Sequence, residues 1–167
     1  MNWSVQVLSI YDKVRAVCGS DIEGIRMKTT IRWDGDVRFV GETGTGHFIS
    51  MDGPEDHGGK NVGARPMETL LVGMGGCASF DVVHILKKSR QNISSCVTEI
   101  EAERVDEVPA VFEKIHLHFI VSGEKLKEAH VKRAVELSAE KYCSASIMLS
   151  KAGVKITHSY EMKEITV

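Results

Sequence analysis

The alternation of apolar and polar positions predicts three short strands near the start of the folded region. Residues 27–33 and 36–42 are typical of two strands joined by the turn signal Asp34-Gly35, and residues 47–51 of a third. Residues 52–63 have no such period and are rich in Gly, Asp, His and Pro, so they predict a solvated polar loop.

A long, mostly apolar segment follows the loop and predicts a helix from Pro66 to about Arg90, buried on nearly all sides. At 1.5 Å per residue it would extend on the order of 37 Å, more than the breadth of many small domains. Gly73, Gly75 and Gly76 lie inside it, where each costs roughly 1 kcal/mol relative to Ala. Close approach of another backbone offsets such a cost, so the glycines predict tight packing and favour a dimer core.

The second half of the chain repeats the change from strands to helix. Residues 96–106 and 111–122 predict two strands, 125–149 a helical region, and 154–162 a closing strand after Gly153. Ser144 is the expected cap of a fresh helical turn, which would place Cys143 at a break or a helix start. The predicted order β-β-β-α-β-β-α-β defines an α+β domain.

Composition narrows the classes of function. The 167 residues fit one domain, and 43% hydrophobic content is enough for a core. Lys and Arg number 21 against 23 acidic residues, which argues against nucleic acid or an anionic membrane as partner. Asp12, Lys13 and Arg15 stand where a signal peptide needs apolar residues, so a cytoplasmic protein is expected.

The four cysteines are too few for a disulfide scaffold and form no Cys-x-x-Cys pair. Cys77 is expected in mid-helix, with Asp81 one turn later leaning back toward it and disfavouring a thiolate. His84 lies about 10 Å further along the helix axis, too far for a Cys–His pair. On these grounds alone Cys77 is most simply a core cysteine.

Three segments together resemble the OsmC/Ohr family, and more narrowly its YhfA-like branch. They are RPMETLL at 65–71, GGCASFDVV at 75–83 and KYCS at 141–144. The resemblance covers residues 27–167, which we take as an OsmC-like domain; residues 1–26 are an N-terminal extension of unclear role. It implies an OsmC/Ohr-like fold, with antiparallel sheets wrapped around long central helices in an intertwined homodimer.

The resemblance also implies a cofactor-free thiol peroxidase that reduces organic hydroperoxides. Cys77 would attack the peroxide, Cys143 would close a disulfide with the oxidised Cys77, and an external dithiol would reduce that disulfide. In the peroxidases an arginine of the N-terminal strands stabilises the thiolate, and a glutamate of the central helix holds that arginine in place. Arg38 and Glu68 are the candidates for these roles, with Arg65 as the alternative arginine.

The chain departs from the peroxidases at two positions. Met67 follows Pro66 where they have Glu, and Ser144 stands where a proline often follows the second cysteine. Two other interpretations therefore stay open: a non-catalytic dimer that binds a small apolar molecule, and a structural role for both cysteines. The resemblance implies no cofactor. No metal is expected either, because His116 and His118, two apart on a strand, are more simply a solvated sheet face.

Overall fold

A computed structural model describes residues 26–165, which form an α+β domain of two three-stranded sheets and three α-helices. The predicted class and order of elements are confirmed. Nearly all of the predicted extension, Cys18 included, lies outside the described residues.

The first sheet is an antiparallel meander of β1 (Thr29–Trp33), β2 (Phe39–Thr43) and β3 (Phe48–Met51). Gly35 and Asp36 both have positive φ, 83° and 47°, as a tight hairpin turn requires. One face of this sheet is apolar and largely exposed: Ile31, Trp33, Phe39 and Ile49. Within residues 26–165 of one protomer, no segment covers this face.

The long helix α1 runs from Pro66 to Lys88, and the chain leaves it through Arg90 in the left-handed region, φ 58°. One stripe at four-residue spacing is fully buried: Met74, Ala78, Val82 and Leu86. The expected burial on nearly all sides is wrong for one protomer, because a second apolar stripe is exposed: Leu70 (55%), Val72 (70%) and Phe80 (67%). By length and hydropathy α1 could cross a membrane, but its buried stripe belongs to the core of the domain.

The helix glycines divide into two kinds. A Cβ on Gly75 would come within 2.6 Å of the Ile100 side chain, so here the predicted close approach is to the neighbouring sheet of the same chain. A Cβ on Gly73 or Gly76 would meet nothing within 4 Å. Their small size is therefore not required by packing within the described protomer.

The second sheet has the order β4 (Asn92–Arg104), β5 (Phe112–Glu124), β6 (Lys155–Glu164) and carries most of the core. β4 and β5 are antiparallel, whereas β5 and β6 are parallel. The expectation of antiparallel sheets is thus corrected for this pair. A parallel pair needs a long crossover connection, which the helical segment between β5 and β6 supplies.

That segment is not one helix. It consists of α2 (Glu128–Leu137), a π-helical turn (Ser138–Tyr142) and α3 (Ser144–Lys151). The predicted break at Cys143 is confirmed. α1, α2 and α3 pack together over the inner face of the second sheet, whose buried side chains include Ile115, Leu117, Phe119 and Val121.

Candidate redox site

Two sulfurs and a carboxylate meet where the middle of α1 faces the start of α3. Cys77 Sγ, Cys143 Sγ and a carboxylate oxygen of Asp81 all lie within 4.8 Å of one another. Cys77 and Asp81 are one turn apart on α1, so their side chains share a face. The predicted approach of Asp81 to the Cys77 thiol is confirmed, and the fold brings both cysteines of the family motif together.

The π-helical turn positions Cys143. Ser138 is fully buried and its hydroxyl donates to the Ala78 carbonyl of α1 at 3.0 Å, which anchors the turn to the long helix. The Cys143 N–H then donates to the Ser138 carbonyl at 2.9 Å, closing the wider turn. Wide turns of this kind frequently occur at functional sites.

Cys143 itself is the N-cap of α3, so the expectation that Ser144 would be the cap is wrong. The Cys143 sulfur accepts from the Ser146 N–H at 3.5 Å and from the Ser146 hydroxyl at 3.1 Å. Sequence reasoning missed Ser146, although a residue three positions after an N-cap is where a capping contact is expected. Both donors stabilise negative charge on the sulfur.

The two thiols differ in access. Cys143 has no exposed surface, whereas Cys77 is half-buried. Burial raises the pKa of the Cys143 thiol above its ordinary value; the Ser146 donors lower it in part, and the Cys77 sulfur adds to the increase. Cys77 is therefore the more accessible of the two thiols, and burial disfavours loss of the proton from Cys143.

Asp81 is the third member of the cluster. Burial raises the pKa of its carboxyl above the ordinary value, and the nearby His84 opposes that shift. Its Oδ2 is buried and has no hydrogen-bond partner within residues 26–165. A carboxylate left in this state retains the capacity to accept a proton.

The other predicted site residues lie outside this cluster in a single protomer. Arg38, in the β1–β2 turn, donates from Nη2 to the Asp34 carbonyl at 2.9 Å and pairs with its carboxylate at 3.0 Å. Glu68 accepts from the Arg65 N–H at 2.8 Å in the first turn of α1. Cys77 is nine positions after Glu68, about 14 Å further along the helix.

Arg65, the alternative arginine, is hydrogen-bonded to the loop before α1. Its guanidinium donates to the carbonyls of Asp52 and Gly53. The polar loop is predicted to be solvated, but Asp52 within it is only 1% exposed. Its carboxylate accepts from the N–H groups of Gly53, Lys60 and Val62. Burial would raise the Asp52 pKa, but these donors bring it below its ordinary value, so Asp52 holds the loop rather than a ligand.

The remaining candidates have structural partners. His116 Nδ1 and Nε2 lie 2.7 and 2.8 Å from the hydroxyls of Thr157 and Ser159, and His118 Nδ1 also contacts Ser159 at 2.8 Å. The two histidines are thus half-buried in a hydrogen-bonded row rather than fully solvated. Cys96 is half-buried on β4, and burial raises its thiol pKa despite a hydrogen bond with Thr98.

The fold is an α+β domain in which a thiol of the long helix α1 lies beside the thiol that caps α3. Comparison with known proteins places the chain within a family. Residues 57–159 match the family model described as OsmC-like protein, so the chain belongs to the OsmC-like family. It is 49% identical over 136 residues to protein YhfA of Escherichia coli K12, a match that covers 81% of this chain and 98% of YhfA. The resemblance inferred from the sequence is confirmed.

Solved structures agree on the fold. A hypothetical protein from Aquifex aeolicus is 30% identical, with a TM-score of 0.74 over 86% of this chain and all of that protein. An organic hydroperoxide resistance protein OsmC from Legionella pneumophila is 16% identical, with a TM-score of 0.63 over 82% of this chain and 97% of its own. At this identity the second likeness shows a shared OsmC/Ohr fold and nothing more specific.

Proposed function

We propose that this protein is a cytoplasmic, homodimeric thiol peroxidase that reduces organic hydroperoxides through Cys77 and Cys143 without a cofactor. The observation that carries the proposal is the pair of sulfurs within 4.8 Å, one half-buried and one fully buried. Solved structures that share the fold include organic hydroperoxide resistance proteins, and this supports organic hydroperoxides as the proposed class of substrate.

The chemistry divides between the two thiols. The Cys77 thiolate attacks the terminal oxygen of the hydroperoxide, the O–O bond breaks, and the alkoxide leaves as alcohol after taking a proton. Cys77 is now a sulfenic acid. Cys143 attacks the Cys77 sulfur, the S–O bond breaks, and water leaves as the disulfide forms; an external dithiol then returns both thiols.

Uncovered apolar surface supports the homodimer. The exposed stripe of α1 and the apolar face of the first sheet both lie open in the described part of the protomer, and Trp33 is 70% exposed. Exposed apolar surface this extensive marks an interaction site. A second copy of the chain that covers both surfaces would also bring its N-terminal hairpin, which carries Arg38, near α1.

A direct test of the proposal is to count free thiols before and after addition of one equivalent of cumene hydroperoxide. We expect loss of both Cys77 and Cys143, with their disulfide found by peptide mapping. Retention of both thiols would reject the peroxidase and favour the binding or structural alternatives. In the described protomer no observation favours the apolar-ligand alternative, since the clefts beside His130 and beside Glu101 are lined mainly by polar residues.

The role proposed for Arg38 predicts a shift in thiol reactivity. Its side chain is 40% exposed and its Nε has no hydrogen-bond partner within the described range. We therefore propose that the guanidinium stabilises a thiolate across the dimer interface, with Glu68 holding it. Because a cation within about 4–6 Å favours a thiolate, Arg38→Ala should move the pH profile of Cys77 alkylation up by about one unit or more. The reaction with hydroperoxide at neutral pH should slow about tenfold.

Arg32→Ala is the matched control for Arg38→Ala. Arg32 lies on the same hairpin, is exposed and pairs with Glu42 at 2.6 Å. Its loss should leave the alkylation profile of Cys77 in place. If Arg38→Ala gives the wild-type profile as well, another group stabilises the thiolate.

A further inference from the structure

We propose that Asp81 is the proton acceptor for Cys143 when Cys143 attacks an oxidised Cys77. Three observations carry this inference: the position of the carboxylate within 4.8 Å of both sulfurs, its unpartnered buried Oδ2, and the lack of another base in the same cluster of described side chains. The inference deepens the proposed function but requires only that Cys77 be oxidised or bonded to a leaving group.

The need for an acceptor follows from the surroundings of Cys143. The thiol is fully buried, and its contacts with Ser146 and with the Met74 carbonyl supply hydrogen bonds rather than a basic group. A serine hydroxyl and a backbone carbonyl do not accept a proton near neutral pH. Cys77 cannot serve either, because its sulfur is the atom under attack. Asp81 is the titratable group that remains in the cluster.

The geometry allows the transfer to be direct. Asp81 lies on the same face of α1 as Cys77, and its side chain leans toward the helix N-terminus, where the sulfurs lie. The three atoms already lie within 4.8 Å of one another, and contacts of this kind commonly tighten to hydrogen-bond distance in the reacting state. Burial makes the carboxyl a stronger base than a solvated aspartate, while His84, whose Nε2 is also buried and unpartnered in the described structure, favours its ionised form.

Protons and electrons balance at each step. The Cys143 thiol gives its proton to Asp81 as its electron pair forms the bond to the Cys77 sulfur. When Cys77 is a sulfenic acid, the S–O bond breaks and Asp81 passes the proton to the departing hydroxide, so the product is water. When Cys77 carries a mixed disulfide, the S–S bond to the leaving thiolate breaks and Asp81 releases its proton to solvent.

Charge alone predicts the opposite effect, and this makes the inference testable. A negative Asp81 beside two sulfurs disfavours thiolates. If Asp81 acts only as a charge, Asp81→Asn should accelerate the attack by Cys143. If Asp81 accepts the proton, the same substitution should slow that attack although it removes the repulsion.

The experiment uses the disulfide probe dithiodipyridine and the full chain with Cys18→Ser and Cys96→Ser, so that only the two site thiols react. Attack by Cys77 releases a first thiopyridone, and attack by Cys143 on the mixed disulfide releases a second. We expect Asp81→Asn to leave the first phase unchanged or faster and to slow the second roughly 100-fold, the scale of general base catalysis. In the wild type, the rate of the second phase should rise with pH as Asp81 ionises and then level off. In Asp81→Asn this rise in rate should be lost.

Two controls separate proton transfer from packing. Asp81→Glu keeps a carboxylate and should restore much of the second phase, whereas Glu99→Gln, an exposed carboxylate on β4, should change neither phase. A second phase in Asp81→Asn that is as fast as in the wild type would overturn the inference, and so would a wild-type chain that releases only the first thiopyridone. Because no peroxide is used, a chain that shows the Asp81-dependent phase but consumes no cumene hydroperoxide would reject the proposed function and retain this inference.

Discussion

Cys77→Ser is expected to reduce consumption of cumene hydroperoxide to the uncatalysed background. Cys77 is the half-buried member of the sulfur pair, and a serine hydroxyl stays protonated and unreactive where a thiolate would attack. The rate of peroxide loss, followed with a colorimetric assay, measures the effect directly. Cys96→Ser is the matched control, since Cys96 lies on β4 with its thiolate disfavoured by burial, and it should retain wild-type consumption.

Cys143→Ser should separate the reaction of Cys77 with the hydroperoxide from the later formation of the disulfide. The chain should consume one equivalent of hydroperoxide and then stop, leaving a sulfenic acid at Cys77 that dimedone traps and mass spectrometry locates. A sulfenic acid at Cys143 in the Cys77→Ser chain would reverse the assignment. The two Ser146 donors and the helix N-terminus do favour a thiolate there, so full burial of Cys143 is the reason for placing the first attack at Cys77.

Gly76→Leu is expected to break the homodimer. Within the protomer a side chain at this position meets no atom within 4 Å, and a leucine raises helix propensity by roughly 0.8–1 kcal/mol, so an isolated protomer would be stabilised. Across an interface packed on the exposed stripe of α1, the same leucine would overpack the contact at a cost of about 1–3 kcal/mol or more. Sedimentation at micromolar concentration should show the wild type as a dimer and the variant shifted to monomer.

The neighbouring glycine supplies the control for that prediction. Gly75→Ala places a methyl group against the Ile100 side chain of the same chain, away from the proposed interface, so it should leave the association state unchanged. A wild-type chain that sediments as a monomer, or a Gly76→Leu chain with a raised melting temperature and unchanged association, would contradict the proposed interface.

The local pattern was sufficient for the elements of this fold. Period-two alternation identified the strands, the Asp34-Gly35 signal identified the hairpin, and Gly153 marked the end of the last helix, where it has φ 96°. These features depend on backbone preferences and on the alternation of faces, which neighbours in sequence determine. The parallel pairing of β5 with β6 depends on how distant segments pack, and local pattern does not contain it.

At the candidate site, the sequence alone predicted the contact between Asp81 and Cys77. The family resemblance predicted the pairing of Cys77 with Cys143. The approach of Asp81 to Cys77 follows from helical spacing, so the sequence determined it. That Cys143 completes the cluster, caps α3 and is held by Ser146 was decided by the tertiary structure, because a π-helical turn anchored by Ser138 to α1 sets its position. The sequence thus determined which side chains share a face of α1, whereas long-range packing alone determined which distant thiol meets them and how far water is excluded from it.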